Sequence, residues 1–421
     1  MKILIIGSGA REHAIAWKVK QDPRVSQIYL APGNAGTSSI AQNIPIPVTD
    51  LESLLAWAKK ERPDFTLVGP EIPLCLGIVD LFEKENLPIF GPNQQAAQLE
   101  GSKIFTKNIL VKYGIPTALS GSFTELDKAE IFSQKLGFPQ VIKADGLAAG
   151  KGVLIVQNFK QAQEGLRQIL VDRHFGAAGN SVLIEEFLDG QEASIHAITD
   201  GNSYRILPSA QDHKRVGDGD TGLNTGGMGA YSPAPCVTPE LLEIVRKTVF
   251  DPLLIAFKKE NIDYRGVLYA GLMLTSKGPK VLEFNARLGD PETQVLLPLL
   301  ETSLIDVVEA VWKRTLDQIN FKVSPLHAMT IVMAAPGYPE NPITGTEISG
   351  LEVKGKSNTA IFHAGTKSIA EKITTAGGRV LTITAWAESL QLARDLAYER
   401  LSLVSFEGAH FRRDIGHRAL F

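Results

Sequence analysis

Residues 281–292 read Val281-Leu282-Glu283-Phe284-Asn285-Ala286-Arg287-Leu288-Gly289-Asp290-Pro291-Glu292 and begin as a strand in which apolar and polar residues alternate. Alternation predicts Glu283 and Asn285 on one face of the strand and Leu282 and Phe284 on the other. A carboxylate beside an amide oxygen provides hard oxygen ligands, which suit Mg²⁺ carried on nucleotide phosphates. Arg287 follows as a planar fork for phosphate or carboxylate.

A simpler interpretation, a β-turn with a surface Arg–Asp pair, fits each of these residues taken singly. It weakens because three charged groups and an amide lie together between apolar residues. A ligand would be held at one end of a core strand, so we expect a binding site here.

The run from Glu283 to Glu292, Glu-Phe-Asn-Ala-Arg-Leu-Gly-Asp-Pro-Glu, resembles the signature of the glycinamide ribonucleotide synthetases, ATP-grasp enzymes of purine synthesis. Further motifs extend the resemblance over nearly the whole chain. It implies Glu283 and Asn285 as metal ligands, and a catalytic set of Arg287, Lys214 and Asp290.

Composition limits the remaining possibilities. A chain of 421 residues is too long for one core, so we expect about three domains. The net charge of −3 gives no electrostatic reason to expect nucleic acid or an anionic membrane as partner. Two distant cysteines, Cys75 and Cys236, indicate neither a disulfide framework nor a zinc site, and a reducing cytoplasm fits best. The apolar opening is cut short by Gly7, so it is neither a secretory signal nor a membrane span.

Residues 1–100 predict an open parallel α/β domain. The buried-strand run Ile3 to Ile6 leads into Gly7-Ser8-Gly9-Ala10-Arg11-Glu12-His13 and a helix, an arrangement that offers an anion site. A plain strand–helix turn fits equally well, and Glu12 stands where a dinucleotide fingerprint needs glycine, which disfavours NAD. Further strands are expected at 27–31, 65–68 and 88–90. The resemblance implies substrate contacts on their loops, although Pro73 by itself indicates only a turn; the set is Gly9, Asn34, Glu71 and Pro73.

Residues 101–326 are expected to form the ATP-grasp core, with a mobile ATP lobe at about 118–190. Lys103 on a helix is uninformative alone, but Lys143 follows an apolar pair and needs an anion to stay charged. The loop from Asp145 to Val153 carries Gly150, Lys151 and Gly152. It is not a Walker A motif, because no Ser or Thr follows Lys151. A linker is an equal alternative for this loop alone; with Lys143 upstream we favour phosphate binding.

Two further segments complete the expected core. By resemblance, the turn after strand 181–187 is the hinge that binds adenine and ribose through Glu185, Glu186, Leu188 and Glu192; a solvated acidic turn is the alternative. The glycine-dense loop 217–231 is too long to be a simple connection. In the family this region binds the amine substrate, which implies contacts from Asp212, Lys214, Thr225, Gly226, Met228 and Arg287. His213 is expected to be a turn residue rather than a general base.

The remaining residues predict core packing and a closing domain. Helices are expected at 96–112, 239–260 and 303–316, and a strand at 265–274 that hairpins into residue 281. Residues 327–421 predict a small α+β domain with a mixed sheet, built from strands at 327–335, 360–363 and 379–386 and a helix at 389–404. The tail Phe411 to Arg418 resembles the family's ending, and no chemistry of its own is indicated.

The resemblance implies an ATP-dependent ligase that joins glycine to 5-phosphoribosylamine through a glycyl phosphate, with Mg²⁺ or Mn²⁺ as cofactor. Its expected partners are these small molecules, with transient contact with neighbouring purine-pathway enzymes. Three alternatives stay open: another ATP-grasp ligase or carboxylase, a nucleotide-sensing protein without catalysis, and, more distantly, a dehydrogenase. Only the loops expected to bind the amine substrate, which carry Asn34, Glu71 and residues 212–228, distinguish the family's ligase from another ATP-grasp enzyme.

Overall fold

The computed structural model of the protein describes residues 1–147 and 152–420. It contains a parallel sheet, two four-stranded sheets and a larger antiparallel sheet, each with its helices. The multidomain α/β and α+β architecture expected from the sequence is confirmed. None of the helices in the described ranges is long and apolar enough to cross a bilayer.

The N-terminal domain is an open sheet with strand order β3-β2-β1-β4-β5, parallel throughout. The apolar run Ile3 to Ile6 is completely buried in the central strand, as expected for a strand covered on both faces. The strands are β1 (Lys2–Gly7), β2 (Gln27–Pro32), β3 (Gln42–Asn43), β4 (Phe65–Val68) and β5 (Ile89–Phe90). The helices are α1 (Ala10–Val19), α2 (Leu51–Glu61), α3 (Glu71–Cys75) and α4 (Ile78–Lys84).

The helix predicted at 96–112 is two helices, α5 (Gln94–Gly101) and α6 (Lys103–Lys112). Ser102 breaks it by adopting an extended conformation, and its hydroxyl accepts the N–H of Phe105 at 3.0 Å as an N-cap. The same hydroxyl donates to Asp145 at 3.0 Å. The break therefore sets Lys103 in the first turn of α6, facing the loop that follows Asp145.

Residues 118–190, here the small lobe, have a hydrophobic core of their own. Their antiparallel sheet has the order β6-β9-β7-β8, and α7 and α8 pack on it. The elements are β6 (Ser120–Phe123), α7 (Leu126–Leu136), β7 (Gln140–Ala144), β8 (Val153–Val156), α8 (Phe159–Leu170) and β9 (Val182–Glu186). A separate core makes the small lobe a distinct packing unit, and its expected mobility stays a prediction.

The large lobe is built on the antiparallel sheet β11-β10-β16-β17. Gly271 pairs with Glu283 and Leu272 with Val281, so Leu282 is the extra residue of a β-bulge. The alternation predicted for Leu282 and Phe284 is therefore wrong at Leu282, and Val281 and Phe284 share the core instead. The strands of this region are β10 (Gln191–Thr199), β11 (Tyr204–Ile206), β12 (Gln211–Asp212), β13 (Arg215–Gly217), β14 (Thr221–Asn224), β15 (Gly229–Ser232), β16 (Gly266–Thr275) and β17 (Gly278–Asn285).

The helices of the large lobe are α9 (Pro239–Val245), α10 (Asp251–Lys259), α11 (Thr293–Leu299) and α12 (Leu304–Lys313). The single helix predicted at 239–260 contains a π-helical turn at Arg246–Phe250 between α9 and α10. Pro252, in the first turn of α10, has no N–H to continue the regular hydrogen-bond ladder.

The last sheet has the order β12-β15-β18-β22-β19 and combines strands from both sides of the expected boundary at residue 327. It was predicted to be mixed, but every pairing in it is antiparallel. The remaining elements are β18 (His327–Ala334), β19 (Thr359–His363), β20 (Thr366–Ile369), β21 (Lys372–Thr375), β22 (Arg379–Ala387), α13 (Leu390–Leu401) and α14 (His417–Leu420). The pairing of β15 with β18 joins the loop 212–229 to the C-terminal domain.

One hydrophobic cluster connects the N-terminal, large-lobe and C-terminal parts, since it contains Ile5, Leu296 and Phe362 together. At its edge His363 donates its backbone N–H to Nδ1 of His13 at 2.9 Å. Burial, reinforced by His363, lowers the pKa of His13 to about 3, and burial lowers the pKa of His363 to about 4. Both imidazoles are therefore neutral in the folded protein at pH 7.

The His13→Asn variant is expected to lose less stability than the wild type between pH 7 and pH 5. An unfolded histidine takes up a proton below its ordinary pKa, whereas folded His13 does not, so the wild type loses about 2 kcal/mol at this residue over that range. Asparagine retains an acceptor for His363 and does not titrate. The difference between the thermal unfolding midpoints of the wild type and the His13→Asn variant, measured at pH 7 and again at pH 5, shows the effect.

The comparison has to be made between variants, because burial also raises the pKa values of Glu100 and Asp212 to about 7 and these groups act in the opposite sense. The matched control is His174→Asn, at an exposed position. A pH-independent gap for His13→Asn, equal to that of the control, would contradict the assignment of His13 as a neutral buried base.

Candidate functional site

The polar face of β17 carries Glu283, which lies among three lysines. Burial alone would raise the pKa of Glu283, but Lys214, Lys143 and Lys103 outweigh it and hold that pKa below its ordinary value. Within the described ranges no hydrogen bond reaches the Glu283 carboxylate, and Asn285 Oδ1 receives one long contact, from Arg287 at 3.4 Å. These two oxygens, two residues apart on one strand, fit a hard divalent cation.

The lysines reach this face from different segments. Lys143 on β7 donates to the carbonyl of Leu282, the bulged residue, at 3.1 Å, so the bulge supplies an acceptor between the lobes. Lys143 also pairs with Glu185 at 2.5 Å, and Lys107 pairs with the other oxygen of the same carboxylate. Lys103 donates to the carbonyl of Gly146 at 2.9 Å. The side chain of Glu185 is thus committed to two lysines.

The small-lobe sheet turns an apolar surface toward this charged group. Val141 and Leu183 lie on the same face of the sheet as Lys143 and Glu185, because they alternate with the core residues Ile142 and Ile184. Ile155, opposite Val141 on β8, is 44% exposed. This face of the sheet is an apolar surface on which a flat ring could pack, and lysines lie at the border of that surface.

The segment joining β9 to β10 contains the predicted hinge. Glu186 pairs with Lys280 at 2.7 Å, which ties the end of the small lobe to β17. Leu188 is buried, and Glu192 at the start of β10 pairs with Lys214 at 3.0 Å. Each of the three predicted carboxylates is therefore paired with a lysine: Glu185 with Lys143, Glu186 with Lys280 and Glu192 with Lys214.

Arg287 is held by acidic side chains from elsewhere in the chain. It contacts Glu71 of the N-terminal domain at 3.3 Å and Glu100 of α5 at 2.8 Å. Glu100 also accepts the N–H of Ala286 at 2.7 Å, and burial raises its pKa to about 7 although Arg287 opposes this. Arg287 is therefore oriented by carboxylates within the protein.

The Gly-Asp-Pro turn is fastened by the C-terminal domain. Asp290 pairs with Arg379 of β22 at 3.1 Å and accepts from Gln294 at 2.8 Å. Arg379 also donates to the carbonyls of Asp290 at 2.8 Å and Gly226 at 2.6 Å. Arg379 thus joins the turn after β17 to the glycine-dense loop.

Glu292, the last residue of the motif, belongs to a buried network behind this turn. It accepts from Tyr269 at 2.7 Å and from Ser194 at 3.3 Å. His196 stacks on Tyr269, and its Nε2 accepts the N–H of Gly289 at 3.2 Å. These contacts fix the backbone of the turn.

In the loop 212–229, here the amine-side loop after its expected substrate, Asp212 and Lys214 carry charges that act on each other, and Lys214 also acts on Glu283. Burial raises the pKa of Asp212 to about 7, although Lys214 opposes the rise. Burial also opposes the charge of Lys214, but Glu192, Asp212 and Glu283 outweigh it and hold the pKa of Lys214 well above its ordinary value. Thr225 donates its N–H and its hydroxyl to the carbonyl of Lys214, at 2.7 and 2.8 Å.

Four of the predicted substrate residues are already engaged in contacts within the protein. Met228 is fully buried, its N–H bonded to His213 and its carbonyl to Val332. Asn34 donates to the carbonyls of Ser8 and His363, both at 2.8 Å, so its amide joins loops of two domains. Pro73 is buried in α3, and Gly226 contributes backbone groups to Tyr338 and Arg379.

The glycine turn after β1 is filled by the protein itself. The Glu12 carboxylate accepts the N–H of Gly9 at 2.6 Å and pairs with Arg11 at 2.5 Å. A Cβ at Gly7 or Gly69 would overlap this carboxylate. An internal anion thus takes the place of a dinucleotide phosphate, in agreement with the sequence argument against NAD.

The glycine loop of the small lobe is only partly described. The predicted residues Gly150 and Lys151 lie outside the described residues. The carbonyl of Gly152 accepts the N–H of Ala144 at 2.8 Å, so Gly152 is bonded to the end of β7.

Sequence reasoning missed Glu100, Arg379 and Tyr269, and it quoted Glu292 without a role. Glu100 is the second-last residue of α5, two residues before the break at Ser102, and a carboxylate beside the buried Leu99 was its one local signal. Arg379 and Tyr269 gave none, because their partners are distant in sequence.

Comparison with known families matches residues 1–293 and 328–418 of the chain, in three parts. The families are described as "Phosphoribosylglycinamide synthetase, N domain" over residues 1–100, "ATP-grasp (A) domain" of the same synthetase over 101–293, and its "C domain" over 328–418. The phosphoribosylamine–glycine ligase of Vibrio cholerae is 47% identical over 423 residues, which cover 100% of this chain and 99% of that protein. That of Allochromatium vinosum is 49% identical with the same coverage.

Solved structures agree. The phosphoribosylamine–glycine ligase of Thermotoga maritima superposes with a TM-score of 0.85 at 35% identity, covering 98% of this chain and 100% of that one. The biotin carboxylase domain of the Hydrogenobacter thermophilus 2-oxoglutarate carboxylase, in complex with MgADP and bicarbonate, has a TM-score of 0.75 at 17% identity, covering 97% and 91%. The second likeness shows the fold alone.

Glu185→Gln is expected to destabilise the small lobe by about 3–5 kcal/mol, because it leaves the buried Lys107 and Lys143 without a counter-charge. Thermal unfolding monitored with hydrogen exchange of β7 and β9 measures the loss. The matched control is Glu125→Gln, whose partner Lys128 is exposed and whose pair is worth about 0–1 kcal/mol. Equal stability of the two variants would contradict the two-lysine pairing.

Proposed function

The chain belongs to the phosphoribosylglycinamide synthetase family, and from this we propose how its own residues carry the family's reaction. The protein is an ATP-dependent ligase that joins glycine to 5-phosphoribosylamine, giving glycinamide ribonucleotide, ADP and phosphate in purine synthesis. The observation that best supports our assignment of residues is that Lys143 bonds to the carbonyl of Leu282, directly before Glu283, while Lys103 and Lys214 also act to keep Glu283 ionised.

ATP is proposed to bind between the small lobe and β17. The apolar surface of Val141, Ile155 and Leu183 suits adenine, with backbone groups from Glu185 to Leu188 along its edge. Glu192 is proposed to accept the ribose hydroxyls. The phosphates would bind to Lys103 and Lys143 and to the loop residues Gly150, Lys151 and Gly152. A buried lysine stays charged only beside an anionic partner, which the phosphates would provide.

Glu283 and Asn285 are proposed to hold Mg²⁺ or Mn²⁺. Their oxygens are the hard ligands such ions prefer, and Glu283 is kept ionised by the surrounding lysines. When bound, the ion would neutralise charge on the nucleotide phosphates. Lys103, Lys143 and Lys214, whose charges favour ionised Glu283, would also help to neutralise the transferred phosphoryl group.

The acceptor side is proposed to lie between Arg287 and the loop 212–229. Amide formation in water is unfavourable, so glycine is first phosphorylated to glycyl phosphate, and the amine of phosphoribosylamine then displaces phosphate. Arg287, oriented by Glu71 and Glu100, would bind the glycine carboxylate or the phosphoryl group. Lys214, held charged by Glu192 and Asp212, would stabilise the charge that develops during transfer.

The sugar phosphate side is proposed to involve Gly9, Asn34, Glu71, Pro73, Thr225, Gly226 and Met228. Gly9, Asn34, Pro73 and Met228 would contribute by shaping loops, since their side chains or backbones are already engaged. Asp290, paired with Arg379, would hold the turn next to Arg287 in place. A cytoplasmic location and transient contact with neighbouring purine-pathway enzymes stay predictions.

The substrates are tested by ADP release with glycine, other small amino acids or bicarbonate, each with and without freshly made phosphoribosylamine. Release that requires glycine and phosphoribosylamine together is expected. ADP release driven by bicarbonate would identify a carboxylase. ADP release that does not change with any of the added substrates would favour a nucleotide sensor.

Glu283→Ala is expected to lower turnover by about two orders of magnitude or more, since a lost metal ligand removes several kcal/mol of charge stabilisation. Its thermal midpoint should stay near the wild-type value. Electron paramagnetic resonance of Mn²⁺ titrated with ADP should show weakened metal binding. Glu164→Ala, on the exposed face of α8, is the matched control. Normal turnover of Glu283→Ala at limiting Mg²⁺ would remove Glu283 from the ligand set.

A further inference from the structure

Asp220 connects the C-terminal tail with the amine-side loop. Its carboxylate pairs with Arg412 at 2.8 Å and with Arg418 at 2.7 Å. His213 Nδ1 and His417 Nε2 lie 3.8 and 3.6 Å from its oxygens. Arg412 is fully buried, so the tail delivers a charge into the protein at this point.

The contact extends along residues 410–418, here the tail strap. Its hydrogen bonds to the loop reach both main chain and side chains. They are His410 to the Val216 carbonyl (2.7 Å), Arg412 to the Arg215 carbonyl (3.1 Å), Arg413 N–H to Asp218 (2.8 Å), Asp414 from the Gly219 N–H (2.8 Å), Gly416 N–H to His213 Nε2 (3.0 Å) and Arg418 to the Asp212 carbonyl (3.3 Å).

The cluster of His213, Asp220 and His417 does not suit a metal ion. His213 Nε2 accepts the N–H of Gly416, and burial lowers the pKa of His213 to about 4. The neutral ring therefore carries its proton on Nδ1, the atom that faces Asp220. The guanidinium groups of Arg412 and Arg418 already neutralise the Asp220 carboxylate, so the cluster holds the tail strap against the loop.

The loop depends on this contact because the hairpin of β13 and β14 has too little packing of its own to be stable. β13 and β14 form an isolated two-stranded sheet, residues 221–224 are exposed, and none of Asp218 to Asp220 is buried. Hairpins of this kind without a third strand or a core are marginal in water. The tail strap supplies the packing and charge partners that the hairpin lacks.

We propose that Asp220 and Arg412 are positioning residues that hold the hairpin against the tail strap and so fix Lys214 at its base. Lys214 directly precedes β13, and Thr225, after β14, bonds to its carbonyl. Loosening the hairpin therefore frees Lys214, whereas Asp212 stays paired in β12. The inference rests on the proposed binding of the amine substrate to this loop.

The test is Asp220→Asn, which removes the charge with little change in shape at a position of positive φ that asparagine tolerates. Its KM for phosphoribosylamine is expected to rise about tenfold, since displaced positioning groups cost binding and rate. The KM values for ATP and glycine should change less than about twofold. Hydrogen exchange of residues 213–225 should accelerate while exchange in β16 and β17 stays unchanged.

Asp263→Asn is the matched control, because Asp263 also lies between two arginines, Arg314 at 2.7 Å and Arg265 at 3.2 Å, away from the loop. Arg418→Gln is the milder second variant, which leaves the buried Arg412–Asp220 pair in place. Unchanged exchange at 213–225, or a fall in kcat with all KM values equal to those of the control, would overturn the proposal. If ADP release by the wild type does not depend on phosphoribosylamine, the proposed function is wrong. The hydrogen-exchange result at residues 213–225 still decides whether the tail strap orders the hairpin.

Discussion

Charges taken out of water must be paired, and the segment after β17 meets this requirement with partners from distant parts of the chain. Arg287 needs Glu71 of the N-terminal domain and Glu100 of α5, and Asp290 needs Arg379 of the C-terminal domain. Removing one partner of a buried pair leaves the other uncompensated, which costs several kcal/mol. The domains are therefore held around this segment by charge as well as by their shared core.

The small lobe is attached differently. It has its own core and meets β17 through Lys143 on the Leu282 carbonyl and through the Glu186–Lys280 pair. Further polar contacts reach it from Ser102, Lys103 and Lys107, whereas the N-terminal, large-lobe and C-terminal parts share one continuous hydrophobic core. The β-bulge at Leu282 matters here, because an unpaired carbonyl is what lets a small-lobe lysine bond to a large-lobe strand.

Local patterns predicted the regular elements well where one physical signal dominated. The apolar run of β1 gave a buried parallel strand, and β17 followed β16 as an antiparallel hairpin. Predictions were wrong where a single side chain or a distant strand overrode periodicity. Ser102 divides a helix by capping the next one, Leu282 bulges, and β12 and β15 join a sheet whose other strands lie about a hundred residues further on.

The sequence by itself determined the family, the fold class and the residue types that surround Glu283, because short motifs and hydrophobic periodicity are local properties. Only the tertiary structure decided which charges meet. Glu100 reaches Arg287, Arg379 reaches Asp290 and Asp220 reaches Arg412 across separations that no local rule encodes. The physical reason is that strand pairing and the shared core fix the relative positions of distant segments, and each buried charge then selects the partner brought within hydrogen-bond distance.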